Sequence, residues 1–339
     1  MKSLKVLLQN RSNCWKSIAG DSIQLFKTKE YLSRLGVQTE ISSEDTLNLD
    51  SYDLIHLFNL MPVEETYRQF LNVRKHGKKF LLSTIYWDPT EFLTVSGQSG
   101  TFGIWWQRTM PLRRELLKEA ALILPNSAME LAIIERDFGE KFQARIIPNA
   151  ADPLFAEAKP DRFLSRCRTK DFLLSVGRIC RRKNQLMLIR AAATLKLPLV
   201  LIGPVNDGIY YRQCRREAAG HKITFLDALT PSELASAYAA ARVHALVSWY
   251  DTPGLASLEA ALAGCNIVSS DRGSAGEYFG EHAFYCDPGD IDSVCRAIKA
   301  AWNAPRSDRL RQIIAAEYTW EKAALKTFQA YRDVLNASN

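Results

Sequence analysis

Short runs of apolar residues alternate with amphipathic helical patterns along the first part of the chain. The apolar runs, which are typical of buried strands, fall at 4–8, 54–58, 80–85, 122–124 and 145–147. Between them, apolar residues at helical spacing predict helices over 23–35 and 64–76. This alternation is typical of βαβ units and predicts a parallel sheet covered by helices.

The same pattern starts again after a linker near residue 160. Its predicted strands are 172–176, 199–202, 223–225, 244–247 and 266–269, and its predicted helices are 184–195, 232–240, 255–263 and 291–302. We therefore predict an α/β protein with two doubly wound domains, 1–160 and 161–319. Ligands of such sheets bind beyond the carboxyl ends of the strands, so we expect the two domains to face a cleft.

One segment of the first domain, Glu91–Thr109, has no clear periodicity. It is rich in glycine, with Gly97, Gly100 and Gly103. Loops of this length are commonly functional or mobile, so we predict such a loop here.

The predicted helix that starts near Gly254 carries an acidic residue among its apolar positions. At about 100° per residue, Glu259 falls inside the stripe formed by Leu255, Leu258 and Leu262. A buried charge without a partner is costly. The partner is either a structural Arg or Lys or a ligand, and the pattern leaves both open.

Charge and composition narrow the class of protein. The chain has 339 residues and a net charge of +7, which favours an acidic partner such as a nucleotide, a nucleic acid or an anionic membrane. Its seven cysteines form no C-x-x-C pair, and no apolar run has the length of a signal peptide or a membrane span. We therefore expect a cytoplasmic protein. The sequence contains no HExxH, Walker or GxGxxG motif, which argues against a zinc hydrolase, a P-loop NTPase and a simple dehydrogenase.

A basic loop opens the second domain. The first strand ends at Gly177, a helix begins near Asn184, and the cations between them are Arg178, Arg181, Arg182 and Lys183. Fixed positive charges beside a helix N-terminus suit an anion, although a solvated basic loop has the same composition.

Farther along the chain, Gly254 would let a ligand approach the backbone. Asp251 taken alone is an N-cap or turn residue.

Taken together, these motifs resemble those of the retaining GT-B glycosyltransferases of the family 4 (group 1) type. The matching residues are Gly177, Arg178 and Lys183, then Asp251, Gly254, Leu255 and Glu259, and also the segments 125–127 and 147–152. The resemblance implies the GT-B fold, in which two Rossmann-like domains face a cleft and residues 320–339 pack back on the first domain.

The resemblance also implies roles for single residues. Arg178 and Lys183 would hold the donor diphosphate and Asp251 the donor sugar, so that these three are the expected catalytic residues. Further donor contacts are expected at Gly20, Gly177, Gly254, Leu255 and Glu259, with Glu259 on the ribose hydroxyls. On the acceptor side the candidates are His56, Tyr86 and Asp88.

Three positions differ from the usual family pattern. Asp251 is shorter than the Glu that the family usually has, and Ala150 replaces the Gly that usually follows Pro-Asn. Many family members also have a histidine after the fourth strand of the first domain, and the residue nearest to that position here is Tyr86. The implied activity is that of a hexosyltransferase (EC 2.4) that moves a sugar from a nucleoside-diphosphate sugar to a hydroxyl. The expected acceptor is a saccharide or a lipid-linked glycan precursor in cell-surface polysaccharide biosynthesis.

The resemblance implies neither a cofactor nor a metal, and we expect no nucleic acid as partner. Asp290 and Asp292 form a D-x-D that is typical of metal-dependent transferases, but their place at the start of a helix favours an N-cap. Two alternatives remain. A GT-B sugar-nucleotide epimerase would lack the Arg-Lys and acidic pair, whereas a non-catalytic nucleotide-sugar-binding protein could have kept the fold.

The segment Trp105–Lys118 mixes aromatic, aliphatic and cationic residues. This composition suits a helix at an anionic membrane surface, which would place the protein at the inner face of the plasma membrane. An ordinary amphipathic helix that covers its own sheet has the same pattern.

Overall fold

The computed structural model describes residues 4–97, 100–167, 171–252, 254–306 and 308–337. The chain divides into two compact units. The N-terminal unit comprises Met1–Asn149 and Trp320–Asn339, and the C-terminal unit comprises Ala150–Thr319.

The division falls between Asn149 and Ala150, whereas the sequence predicted a linker near residue 160. The reason is local packing. The Ala151 backbone N–H donates to the Tyr318 carbonyl oxygen at 3.1 Å. The Phe155 ring lies edge-on to the Tyr238 ring, with 5.7 Å between centroids. Residues just after Asn149 therefore already belong to the core of the C-terminal unit.

A five-stranded parallel sheet forms the centre of the N-terminal unit. Its strands are β1 Lys5–Gln9, β2 Gln38–Ser42, β3 Leu54–Phe58, β4 Phe80–Ser83 and β5 Leu122–Ile123, in the order β2-β1-β3-β4-β5. Strand β2 was not predicted, because this edge strand has no buried residue and no apolar run. The strand predicted at 145–147 is wrong, since only an isolated bridge between Ile123 and Ala144 forms there.

Helices cover this sheet. They are α1 Gly20–Arg34, α2 Val63–Lys75, α3 Thr90–Ser96, α4 Thr101–Arg108, α5 Met110–Glu119 and α6 Ala128–Phe138. The predicted loop over 91–109 is therefore wrong where the structure describes it. Its two helices have only seven and eight residues, which is too short to show a period. Gly97 ends α3 with a left-handed φ of +67°.

The C-terminal unit contains a six-stranded parallel sheet. Its strands are β6 Leu173–Val176, β7 Leu199–Ile202, β8 Ile223–Leu226, β9 Val243–Leu246, β10 Asn266–Ser270 and β11 Phe284–Cys286, in the order β11-β10-β9-β6-β7-β8. The chain builds outward from β6 to β8, then crosses to β9 on the other side of β6. The order thus reverses between β6 and β9, which makes this the topological switch point.

Helices lie on both faces of this second sheet, and each face has its own apolar core. They are α7 Asp161–Arg166, α8 Gln185–Thr194, α9 Gly208–Glu217, α10 Pro231–Ala240, α11 Leu255–Leu262, α12 Ala275–Phe279, α13 Ile291–Asn303 and α14 Asp308–Glu317. Short 3-10 helices accompany them in the described part of this unit, at Pro153–Phe155, Arg181–Lys183 and Gly280–His282. The start of α10 is fixed by a capping box of Thr230 and Glu233, with Pro231 at the first helical position.

The helix α15 Trp320–Asn336 belongs to the N-terminal unit, although the whole C-terminal unit precedes it in the chain. It packs against α1. The buried Tyr331 hydroxyl lies 2.7 Å from His56 Nδ1, and the Lys79 ammonium donates to the Val334 carbonyl at 3.1 Å. These contacts tie α15 to the strands of the first sheet.

Candidate active site

Two loops meet at the switch point of the C-terminal sheet. One follows β6 and contains the 3-10 helix Arg181–Lys183, and the other follows β9 and leads into α11. The Trp249 backbone N–H donates to the Arg182 carbonyl at 3.0 Å, which joins the two loops. In doubly wound sheets the ligand crevice lies at this place.

Lys183 and Asp251 form the centre of this candidate site. The Lys183 ammonium donates to Asp251 Oδ2 at 2.7 Å and to Oδ1 at 2.9 Å. The Arg182 guanidinium donates to the same Oδ1 at 3.0 Å and to the Tyr250 carbonyl at 2.8 Å. The exposed fractions of the three side chains are 11% for Lys183, 16% for Asp251 and 17% for Arg182. One carboxylate thus faces two cations in a partly desolvated place.

Electrostatics keep Asp251 ionised. Burial alone raises the pKa of the Asp251 carboxyl, but Lys183 and then Arg182 outweigh it and hold that pKa well below its usual range. For Lys183 burial is the larger effect, and it lowers the pKa of the ammonium although Asp251 opposes the change. With Asp251 ionised and both cations charged, the cluster carries an excess of positive charge, which suits an anionic ligand.

Asn184 anchors the basic loop. Its backbone adopts a left-handed φ of +57°, which Asn tolerates better than most residues. Its side-chain amide donates to the Val247 carbonyl at 3.1 Å and to the Pro288 carbonyl at 2.8 Å. Lys183, one position earlier, is therefore held against the loop that carries Asp251.

The backbone conformation of the loop after β9 depends on two glycines, Gly254 and Gly273. Gly254 precedes α11 with φ +90°, and an added Cβ would lie 2.7 Å from Leu246 Cδ2. Gly273 has φ +81°, and its Cβ would lie 2.3 Å from the Asp251 carbonyl oxygen. Sequence reasoning identified Gly254 but missed Gly273, whose need for a bare backbone becomes visible only when Asp251 is in place.

Further residues of this unit that were predicted to bind the donor lie on the same loops. Gly177 follows β6, and a Cβ there would be 3.6 Å from Lys183 Cε. Arg178 comes next and is half-buried, and its carbonyl accepts from Gln185 Nε2 at 2.9 Å. Leu255 is the first residue of α11, where free backbone N–H groups attract anions. The structure thus brings the predicted C-terminal donor residues to one edge of one sheet.

Glu259 has a structural neighbour that the sequence did not indicate. The Tyr238 hydroxyl on α10 donates to Glu259 Oε2 at 3.0 Å. No Lys or Arg of the described residues forms an ion pair with Glu259, so the alternative of a structural cation is wrong there. Burial raises the pKa of Glu259 to about 8, Tyr238 opposes this, and the charge of Asp152 adds to it. Glu259 is half-buried, so part of its surface reaches solvent.

Two of the three predicted acceptor residues are structural. His56 is fully enclosed, with its Nε2 2.9 Å from Ser83 Oγ and its Nδ1 bonded to Tyr331. Burial lowers the pKa of His56 to about 3, so the ring is neutral. Tyr86 is also fully buried, and its hydroxyl donates to Asp137 at 2.8 Å. Neither side chain has a surface that an acceptor could touch, so both predictions are wrong.

Asp88, the third acceptor candidate, is 30% exposed and forms an ion pair of 2.8 Å with Arg136. It also accepts from the backbone N–H of Thr90 at 2.9 Å, as a residue at a helix start does. Its role toward an acceptor stays a prediction. Gly20 is the first residue of α1 in the N-terminal unit, and its role toward phosphates also stays a prediction.

The N-terminal unit has a polar cluster that sequence reasoning missed. It lies where β1 and β3 end, which is the switch point of the first sheet. Asp21 Oδ2 accepts from Arg11 Nε at 2.7 Å, Asn59 Nδ2 at 3.2 Å and Asn10 Nδ2 at 3.3 Å. Asn10 and Asn59 each follow directly after their strand, and this position was the available signal.

The predicted membrane segment is not a continuous cationic face. Arg113 is fully buried, with its guanidinium 3.9 Å from the centroid of Trp106. Arg114 and Lys118 both form ion pairs with Glu140. These contacts favour the alternative of an ordinary helix that covers its sheet. In the parts of the chain that the structure describes, no helix has both the length and the apolar character to cross a bilayer.

The D-x-D motif caps a helix. Asp290 Oδ1 accepts from the Asp292 backbone N–H at 2.9 Å at the start of α13, and Arg296 lies 3.6 Å from Asp290. Within the described ranges, no group of three or more His, Cys, Asp or Glu side chains could hold a metal ion.

Comparison with known proteins supports the resemblance. The family described as "Glycosyl transferases group 1" matches residues 161–320. The O-antigen chain mannosyltransferase B of Escherichia coli is 28% identical over 176 residues, which are 48% of this chain and 45% of that protein. The D-inositol 3-phosphate glycosyltransferase of Corynebacterium urealyticum is 28% identical over 256 residues, 65% of this chain and 58% of that protein. The chain thus spans about half the length of the curated relatives it matches.

Solved structures match over nearly the whole chain. A sucrose-phosphate synthase from Thermosynechococcus elongatus has a TM-score of 0.84 at 19% identity, with 98% of this chain and 100% of that chain covered. HepE of Anabaena in complex with UDP has a TM-score of 0.76 at 15% identity, with coverages of 97% and 100%. At these identities the likeness shows the GT-B fold.

Proposed function

We propose that this chain, which is similar to the group 1 glycosyl transferases over residues 161–320 and has the GT-B fold, is a glycosyltransferase that moves a sugar from a nucleoside-diphosphate donor to a hydroxyl group. The observation that carries the proposal is the ion-paired cluster of Lys183, Arg182 and Asp251 at the switch point of the C-terminal sheet. A diphosphate matches its excess of positive charge.

In this proposal the protein acts mainly on the leaving group. As the bond between the anomeric carbon and the diphosphate oxygen breaks, negative charge grows on the diphosphate. Lys183, Arg178 and the N-terminus of α11 stabilise this charge with groups that are already in position, which lowers the barrier most effectively. Asp251 orients Lys183 and Arg182 and contacts hydroxyls of the donor sugar.

We propose that transfer retains the configuration at the anomeric carbon. The acceptor oxygen forms its bond to that carbon on the face from which the diphosphate leaves. The proton of the acceptor hydroxyl passes to an oxygen of the departing diphosphate, so the step needs no separate base. The protein's share is to hold both substrates in this geometry. Glu259 would bind the ribose hydroxyls of the nucleotide.

The acceptor would bind to the N-terminal unit. Its polar cluster of Arg11, Asp21, Asn10 and Asn59 offers carboxylate, guanidinium and amide groups at a strand switch point, which suits a hydroxyl-rich molecule. We propose a saccharide or a lipid-linked glycan precursor, and hence a role in cell-surface polysaccharide biosynthesis. The names of the relatives that act on glycans support this class.

The proposed site of action is the cytoplasmic face of the plasma membrane, where a lipid-linked precursor would be reached without insertion. The half-buried Trp105 and the exposed Arg108 are the groups of segment 105–118 best placed for such contact, because Arg113, Arg114 and Lys118 are engaged within the protein. Binding of the protein to vesicles with and without anionic lipid tests this proposal. Failure to bind either kind of vesicle would contradict it.

The first experiment is a donor screen. UDP-, GDP-, ADP- and CMP-sugars are added to the purified protein, and release of free nucleotide is measured with and without saccharide acceptors. UDP-sugars come first, because the HepE structure contains UDP. Slow release with one donor supports an enzyme, whereas a ligand-induced rise in melting temperature without any turnover would support the non-catalytic binding protein.

We further propose that the reaction needs no metal, because cationic side chains would neutralise the diphosphate. The screen is therefore repeated in EDTA. Activity that is lost in EDTA and restored by Mn²⁺ or Mg²⁺ would contradict this part of the proposal.

A further inference from the structure

Tyr238 on α10 contacts Glu259 on α11. Its hydroxyl donates to Glu259 Oε2 at 3.0 Å, and no group of the described residues donates to Oε1. The two oxygens of this carboxylate are thus unequal: one is fixed by the protein and the other keeps its lone pairs for another donor. Glu259 is half-buried, whereas Tyr238 is fully enclosed.

The position of Tyr238 is tightly constrained. The rings of Phe155 and His244 each lie at a steep angle to the Tyr238 ring, with 5.7 Å between centroids. The Cys265 thiol donates to the Tyr238 carbonyl at 3.0 Å. Neighbours from the 3-10 helix Pro153–Phe155, from β9 and from the turn before β10 thus fix the tyrosine. A donor that is already fixed orients its acceptor at little entropic cost.

We infer that Tyr238 is a positioning residue for nucleotide binding, which holds Glu259 Oε2 so that Oε1 accepts a hydrogen bond from a ribose hydroxyl. This inference rests on the proposed function, since it assumes that Glu259 meets the ribose. It adds a residue that would orient the carboxylate that binds the nucleotide without touching the nucleotide itself.

The charge of Glu259 depends on the same contact. The groups that face it are the Tyr238 hydroxyl on α10 and the carboxylate of Asp152 beside the 3-10 helix. His244 on β9 faces the tyrosine ring, and burial lowers the pKa of that histidine to about 3, so it brings no charge. Burial and Asp152 both disfavour the carboxylate, and the phenol favours it. A carboxylate accepts two hydrogen bonds, so the ionised form is the one that suits both Tyr238 and a ribose diol.

The test is Tyr238→Phe, with UDP binding measured by titration calorimetry from pH 6 to pH 9. We expect affinity to fall roughly tenfold at pH 9, where the wild-type carboxylate is ionised, as for loss of a hydrogen bond to a charged group. We also expect the rise of affinity with pH to move to higher pH, because Glu259 then ionises less readily. In turnover assays the donor KM should rise while kcat changes little, because Tyr238 touches no reacting atom.

Two further variants make the result decisive. Tyr331→Phe is the matched control, because it too removes the hydroxyl of a fully buried tyrosine but in the N-terminal unit, and it should bind UDP as the wild type does. Glu259→Gln tests the proposed function itself. If Gln weakens binding and Tyr238→Phe does not, the inference fails and the proposed function stands. If Gln leaves binding unchanged, the ribose role of Glu259 fails.

If the Tyr238→Phe variant does not fold, a second variant still tests the inference. Phe155→Leu keeps the Tyr238 hydroxyl but removes the ring edge that fixes its direction. We expect a smaller loss of UDP affinity with the same direction of pH shift. A Phe155→Leu protein with wild-type affinity and a wild-type pH profile would overturn the inference.

Discussion

Lys183 and Asp251 are joined by an ion pair of 2.7 Å, although 68 positions separate them in the chain. Asp251 accepts two hydrogen bonds from an ammonium group that has three N–H donors, so one donor remains for a ligand. A diphosphate must therefore share Lys183 with Asp251 or displace it. The pair is consequently both a structural link between two loops and the centre of the proposed donor site.

Lys183→Ala should abolish most of the transfer activity without unfolding the protein. Asp251 keeps Arg182 as a partner, so we expect a loss of only about 1–3 kcal/mol in the free energy of unfolding. We expect kcat/KM to fall roughly tenfold to a hundredfold or more. The control is Lys299→Ala on the exposed face of α13, and Arg178→Ala should resemble Lys183→Ala. Wild-type turnover in both loop variants would remove the proposed diphosphate site.

Asp251→Asn should destabilise the protein in a pH-dependent way. The folded pKa of Asp251 lies below that of the unfolded chain, which is about 3.9. Its contribution is therefore complete above about pH 4 and is lost as the pH falls further. At pH 7 we expect the variant to lose about 3 kcal/mol, since two cations lose their counter-ion. The deficit should shrink below pH 4 in urea titrations. The exposed Asp271→Asn should change stability by less than about 1 kcal/mol.

Glu259→Gln should not destabilise the protein without nucleotide. The folded pKa of about 8 exceeds the unfolded value of about 4.3, so the contribution of the Glu to stability is present below pH 4 and is lost as the pH rises toward 8. The variant should thus melt no lower than the wild type at pH 5, and higher at pH 8. Its melting temperature should respond little to UDP. A marked drop in the absence of UDP, with the UDP response intact, would mean that Glu259 is structural.

Gly273→Ala should be much more destabilising than Gly264→Ala. Both glycines have a left-handed φ, +81° for Gly273 and +87° for Gly264. An added Cβ meets the Asp251 carbonyl oxygen at 2.3 Å in the first case and nothing within 4 Å in the second. Gly264→Ala should cost about 1 kcal/mol of backbone strain, and Gly273→Ala should cost several times as much or prevent folding. Equal urea midpoints for both variants would show that the loop of Asp251 moves to make room for the added Cβ.

His56→Ala should lower stability and leave catalysis intact. The substitution opens a cavity and leaves Tyr331 and Ser83 without their shared partner, so we expect a loss of about 2–4 kcal/mol. At temperatures where the variant is folded, kcat/KM should equal that of the wild type. A strong loss of kcat with an unchanged melting temperature would restore the predicted acceptor role of His56.

The apolar runs were sufficient to predict most strands of the two sheets, because strands buried on both faces have a clear signal. Leu54–Phe58 and Leu199–Ile202 have the predicted bounds. The edge strands Gln38–Ser42 and Phe284–Cys286 were not predicted. The first has no buried residue, and the second has three residues, of which one is buried. The helix Thr101–Arg108 was not predicted, because eight residues are too few to show the periodicity of apolar positions, although its Trp106 is buried.

The candidate site was predictable only in part. Two local motifs indicated Lys183, in the loop after β6, and Glu259, in α11. Their partners come from elsewhere in the fold. Tyr238 reaches Glu259 from a neighbouring helix, and Gly273 meets the backbone of Asp251 from a third loop. Such pairs depend on packing between elements, which no single stretch of sequence encodes.

The position of α15 has a consequence for the order in which the polypeptide matures during translation. The C-terminal unit is one continuous stretch, Ala150–Thr319, and can fold as soon as it has left the ribosome. The N-terminal unit is synthesised earlier but cannot be completed until Trp320–Asn336 arrives and covers α1 and His56. The half of the protein that is made first is therefore finished last, and the surface that α15 covers stays exposed until α15 has been synthesised.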